Sequence, residues 1–245
     1  MRAFLPLGVL FSLILLGNLY SEELPRFRPA VLGTGPKALV NLINTDSLMK
    51  KGQGDATVMF ECFVSRQGEG WATVIDGRTT GSGELEKELF FRLENRALFV
   101  PAIYEHKKEE VILYGTVVFK IIKGKPHLRI FLNQETEDLR HGNDFIAPQN
   151  VLSVYAPFRG IIGVSRAETL NARIDASLDI DATGKVKDVK VINDSHPDLG
   201  LGPEVVRAMH IAPFIPGFRN GKPADCTFTM PVLWKWYVWH RNNRG

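Results

Sequence analysis

The fold is read from one stretch, Leu170-Asn171-Ala172-Arg173-Ile174-Asp175-Ala176-Ser177-Leu178-Asp179-Ile180. Every even position is apolar, and every odd position between them is polar or charged. Side chains of a strand alternate between two faces, so this pattern buries one face and wets the other. Outward from it, Asp181-Ala182-Thr183-Gly184 makes a turn, and 185–192 returns as a second strand with Val186, Val189 and Val191. A loop through Gly202 leads to a helix that opens at Pro203, where a fixed φ suits the first helical position. Val205, Val206, Met209 and Ala212 form its buried side, and Pro213 stops it. Phe214-Ile215-Pro216-Gly217 and the turn Asn220-Gly221-Lys222-Pro223 follow. In the last strand Cys226, Phe228, Met230, Val232, Trp234 and Trp236 share a face.

The upstream half has the same order. A strand at 56–65 carries Val58, Phe60, Cys62 and Val64 on one face, and Gln67-Gly68-Glu69-Gly70 turns it into a return strand at 71–75. Ser82 is placed as the N-cap of a helix whose Leu85, Leu89, Leu93 and Ala97 form a core-facing stripe. Phe99-Val100-Pro101 ends that helix. A long strand at 111–122 is apolar on both faces, and 128–132 adds a short one. Gly68 to Pro101 is 33 residues and Gly184 to Pro216 is 32; Pro101 to Val118 is 17 and Pro216 to Val232 is 16. Shared order and two matching spacings predict a duplicated domain.

The second copy resembles the TonB C-terminal domain family. The resemblance rests on 181–191 (Asp-Ala-Thr-Gly-Lys-Val-Lys-Asp-Val-Lys-Val), Phe214-Ile215-Pro216, Asn220-Gly221-Lys222-Pro223 and Met230-Pro231-Val232. The first copy is similar only in outline, with Tyr104-Glu105-His106-Lys107 where the Asn-Gly-Lys-Pro turn is expected. The resemblance implies an α+β fold: two tandem TonB-C-like domains, each a small antiparallel sheet with a helix packed on one face. The boundaries expected are a signal peptide at 1–21, a leader with a short helix (37–49) at 22–53, a degenerate copy at 54–133, a linker at 134–165, the clearer copy at 166–239 and a tail at 240–245.

Address and partners follow from composition and from the termini. Arg2 followed by the apolar run 5–16 and Ser21 reads as a secretory signal peptide. This gives an exported protein, periplasmic in a two-membrane bacterium; the alternative is an uncut inner-membrane anchor of about 19 residues. The net charge of +3 is too small to argue for nucleic acid on charge alone. Cys62 and Cys226 both fall on apolar strand faces and are read as two buried thiols, with a disulfide as the alternative.

No cofactor is expected, no metal ligand set and no catalytic residue. Asp179-Ile180-Asp181-Ala182-Thr183-Gly184 has oxygens at calcium-loop positions, but Lys190 stands where a bidentate Glu is required, so a hairpin turn is the better reading. None of the six histidines stands at ligand spacing to another ligand. The function expected is a non-catalytic envelope module that binds a protein or peptide segment by edge-strand pairing. Thr227, Thr229, Pro231, Leu233, Tyr237 and Trp239 are its candidate contact residues. The Trp-rich tail also suits a membrane surface or a glycan. The alternatives are a membrane-anchored component of TonB-type transport and a cell-wall hydrolase.

Overall fold

The computed structural model describes residues 23–95, 97–152 and 172–233. The signal segment 1–21, Leu170, Asn171, Trp234, Trp236, Tyr237, Trp239 and the tail 240–245 therefore lie outside the described residues.

In chain order the first half holds β1 (Phe27–Arg28), β2 (Val31–Leu32), α1 (Leu39–Leu42), α2 (Thr45–Lys50), β3 (Ala56–Val64), β4 (Gly70–Arg78), α3 (Gly83–Asn95), β5 (Phe99–Val100), β6 (Ala102–Tyr104), β7 (Lys107–Glu109), β8 (Val111–Ile122) and β9 (Lys125–Phe131). There follow α4 (Thr136–His141), β10 (Phe145–Ile146), β11 (Gln149–Asn150), β12 (Arg173–Ile180), β13 (Val186–Asp194), α5 (Leu201–Ile211), β14 (Phe214–Ile215), β15 (Gly217–Arg219), β16 (Lys222–Ala224) and β17 (Cys226–Leu233). The fold is mixed α+β, with small antiparallel sheets. Its two main sheets run β4-β3-β8-β9 and β13-β12-β17.

The period-2 pattern places the core. Ala172, Ile174, Ala176, Leu178 and Ile180 are all buried, as are Phe228, Met230 and Val232 on the adjoining strand. They meet Leu201, Val205, Ala208 and Met209 of α5. In the other sheet, Val58, Phe60, Cys62 and Val64 join Leu85, Leu89 and Leu93 of α3 with Leu113, Val117 and Phe119 of β8. Each fully covered aliphatic or aromatic side chain contributes about 1.5–3 kcal/mol. The two cores interpenetrate. Phe63, Ile112 and Tyr114 of the first sheet belong to the second cluster, and Ile215 and Phe218 belong to the first.

Short strands fasten the frame. β1 pairs with β6 and β2 with β5. In the same antiparallel sense, β10 pairs with β15 and β11 with β14. The stretch 134–152, read from sequence as linker, thus holds a helix and two strands. The side chain of Gln149 links the two sets: its Oε1 accepts from Ala30 N at 2.7 Å, and its Nε2 donates to Ala30 O at 2.8 Å.

Two turns have matching geometry in the two halves. Gly68 (φ +87) donates its N–H to Ser65 O, and Gly184 (φ +80) donates to Asp181 O. A Cβ on Gly68 would lie 2.2 Å from Phe99 O, and one on Gly184 would lie 2.1 Å from Phe214 O. A side chain at either position would force the backbone of the Phe-x-Pro segment, which passes directly over it, to move. Glu105 and His106 have φ of 46 and 63, close to the 51 and 73 of Asn220 and Gly221. The first half therefore makes the same turn without the Asn-Gly chemistry.

Some expected boundaries shift. The helix expected at 37–49 is two, α1 and α2, because Asn44 acts as an N-cap and accepts from Ser47 N at 2.8 Å. α5 begins at Leu201, two residues before Pro203, after Gly200 in the left-handed region. The short strand expected at 128–132 is longer at its start: the turn is confined to Lys123-Gly124, both at positive φ, so β9 already begins at Lys125.

Candidate partner-binding edge

β17 pairs with β12 in unbroken register, from Ile180↔Cys226 to Arg173↔Leu233. Arg173 exchanges bonds with Ser195 on the far side: Ser195 N donates to Arg173 O, and Arg173 N donates to Ser195 Oγ. Backbone groups alternate direction along an antiparallel strand. The odd residues of β12 therefore face β13, and the even ones face β17. Across the ladder the even residues of β17 are bonded to β12. The odd ones, Thr227, Thr229, Pro231 and Leu233, turn their backbone groups to the free side. Pro231 fits this register, since proline tolerates only a position with no ladder N–H to supply.

The four candidates differ in exposure. Thr227 and Thr229 are exposed, Leu233 is half-buried and Pro231 is buried. Thr227 Oγ1 donates to Asp179 Oδ1 across the strand pair at 2.7 Å. Tyr237 and Trp239, the other two candidates, lie outside the described residues.

The equivalent strand of the first half is already occupied. β3 pairs with β8 from Val64↔Val111 to Ala56↔Phe119. On its other side β8 pairs with β9 from Thr116↔Phe131 to Ile122↔Lys125. Among the described residues no strand takes that place beside β17.

One side chain that the sequence did not single out touches this edge. Glu135 Oε1 accepts the outward N–H of Thr229 at 3.3 Å. Burial raises the Glu135 pKa above the usual carboxylate value, partly offset by the Thr229 amide, and nearby Asp138 adds to the rise. Glu135 is held by its surroundings. Its own N–H donates to Asn133 Oδ1, Asn133 Nδ2 donates to Phe145 O, and the neighbouring Gln134 Nε2 donates to Phe60 O. Three residues on, Asp138 pairs with Arg219 of β15 at 2.8 Å. Glu135 lies 94 positions from Thr229, so no local sequence pattern could have connected them.

The other candidates resolve into local structure. Asp181 Oδ1 accepts from Thr183 N, Thr183 Oγ1 and Lys185 N, and Oδ2 pairs with Lys187 at 2.8 Å. The Lys187 ammonium and the Thr183 hydroxyl hold this carboxyl far below the usual range. The would-be calcium loop is thus an Asx-type hairpin turn. No group of three His, Cys, Asp or Glu among the described residues is placed to hold a metal ion. Cys62 and Cys226 are not bridged. Burial pushes the Cys226 thiol up to about 11 and the Cys62 thiol higher still. A shallow polar cleft at the start of α3 is lined by Arg78, Ser82 and Glu86, with Arg78 paired to Glu86 at 3.0 Å. No helix among the described residues is long and apolar enough to cross a membrane.

Residues 164–236 match the family model described as the Gram-negative bacterial TonB protein C-terminal. The resemblance read in the second half is thus borne out, and the match does not extend into the first half. No curated protein and no solved structure matches the chain.

Proposed function

We propose that this chain is an exported, non-catalytic binding protein of the cell envelope, built from two tandem TonB-C-like domains, in which the free edge of β17 takes an extended segment of a protein partner. The observation that carries the reading is the contrast between the two sheets. β8 has β9 bonded along its outer edge, whereas Thr227, Thr229, Pro231 and Leu233 turn their backbone groups to an edge with no strand beside it among the described residues. An exposed edge is a template for pairing, in which backbone bonds give affinity and alternate side chains give selectivity. The matched glycine contacts of Gly68 and Gly184, and the matched turns at Glu105-His106 and Asn220-Gly221, support descent of both halves from one ancestral domain.

The register supplies a clean test. Proline at Thr227 and Thr229 removes outward N–H groups and leaves the β12–β17 ladder intact, as Pro231 already does. The wild-type protein and the T227P/T229P variant are used to capture partners from envelope extract. Loss of the captured protein by the variant, with its melting transition retained, supports the edge. Unchanged capture removes it.

A further inference from the structure

The hairpin of β8 and β9 ends in a tip of unusual chemistry. Lys120, Ile121, Ile122, Lys123, Gly124 and Lys125 are consecutive and all exposed. Ile121 is 38% exposed and Ile122 is 49% exposed. They pair across the hairpin with Pro126 and Lys125, and Lys120 pairs with His127. The two-residue turn at Lys123-Gly124 is sharp, with both φ positive. One acidic group is bonded into the tip: Asp55 Oδ1 accepts the Ile121 N–H at 2.8 Å. Four lysines elsewhere are neutralised, Lys51 and Lys87 on Glu84, Lys187 on Asp181 and Lys190 on Asp188. Lys120, Lys123 and Lys125 have no ion pair among the described residues.

We propose that this tip is a membrane-contact element that enters the headgroup region of an anionic bilayer. Consecutive strand residues point to opposite faces. Ile121 and Ile122 are therefore exposed on opposite sides of the hairpin. A protein surface laid against one face would cover one isoleucine and leave the other in water. A medium that surrounds the tip covers both. Inserted end-on, the two isoleucines reach the acyl boundary, while the three lysine stems extend along apolar surface and keep their ammonium groups among lipid phosphates. The β17 edge lies in the other sheet, so membrane contact and strand pairing use different surfaces.

Vesicle co-sedimentation tests the proposal with the full chain. The probes are vesicles of phosphatidylcholine alone and of phosphatidylcholine mixed with phosphatidylglycerol. Any binding by the apolar N-terminal run is common to all variants, so the quantity read is the gain on adding the anionic lipid. The wild type is expected to gain roughly tenfold or more, in a salt-sensitive manner. Both I121S/I122S and K123E/K125E are expected to lose most of that gain. The lysine pair is exposed, so K123E/K125E keeps the test decisive if I121S/I122S fails to fold. Equal wild-type binding to both vesicle types overturns the proposal, as does an undiminished gain in folded variants. Binding to soluble polyglutamate without binding to vesicles assigns the tip to an acidic protein surface and also overturns it.

Discussion

The rings of Tyr114 and Phe228 meet edge to face, with centroids 4.9 Å apart and planes at 64°. Tyr114 belongs to β8 and Phe228 to β17, so the contact joins the central part of one sheet to the other. Both side chains are fully buried. Replacing Phe228 by Ala is expected to cost about 3–5 kcal/mol through lost burial and the cavity left behind. A double-mutant cycle with Y114A isolates the ring contact, expected at about 0.5–1.5 kcal/mol. Denaturant unfolding of the wild type is expected to show one transition followed by all probes. Two separated transitions would show that the shared core does not couple the halves.

The close approach at Gly184 separates two effects that usually occur together. Gly184 and Gly221 both have positive φ, but a Cβ on Gly221 would meet nothing within 4 Å, whereas one on Gly184 would strike Phe214 O. G221A is expected to cost about 1–2 kcal/mol from backbone strain alone. G184A is expected to cost about 2–4 kcal/mol because the overlying segment must also move. Thermal melts of both variants check the difference, and equal losses would contradict it.

Gln149 makes a prediction about an amide in the interior. Gln149 is 1% exposed and Ala30 is fully buried. Shortening Gln149 to Ala leaves the Ala30 N–H and C=O without these partners, at about 1–3 kcal/mol for each buried group. Q149A is expected to lower the denaturation midpoint strongly, whereas exposed N41A, whose Nδ2 bonds Gly35 O, is expected to change it little.

Glu135 gives a pH dependence of known sign. Its folded-state pKa is raised, first by burial. A carboxyl with a raised folded pKa contributes stability that is full below its unfolded value and is lost as pH rises through the folded one. E135Q, which cannot ionise, escapes that loss. The stability difference between E135Q and wild type is therefore expected to favour the variant at neutral pH, to shrink as pH falls through the raised folded-state value, and to be level once pH is below about 4, the unfolded carboxyl value. In E135A the Thr229 amide, deprived of its acceptor, is expected to exchange with solvent about tenfold faster. Unchanged exchange would show that Glu135 does not screen the edge.

What was legible in the sequence was the part with long periodic runs. Ala172 to Ile180 could be assigned a buried face because side-chain alternation is a local property. Leu85, Leu89 and Leu93 could be assigned a helix stripe for the same reason. The orientation of the β17 edge was also implicit in the alternation, which sets Thr227 and Thr229 apart from Phe228 and Met230. The short strands were not legible. β1, β2, β10 and β11 have two residues each, too few for a period, and their partners lie more than sixty positions away. Glu135 was passed over because nothing near it in sequence indicates that it reaches Thr229.

The pairing of Phe145–Ile146 with β15 and of Gln149–Asn150 with β14 also bears on how the protein can be cut. The family match begins at residue 164, after both of these strands. A fragment starting there would carry the inherited motif, yet leave the backbone of Phe214–Arg219 without its native cover. Such a fragment has unpaired edges beside Phe214, Ile215 and Phe218, all buried in the whole chain. Its natural recourse is another copy of itself. The segment that evolution has kept recognisable is therefore shorter than the segment that covers its own Phe214–Arg219 backbone.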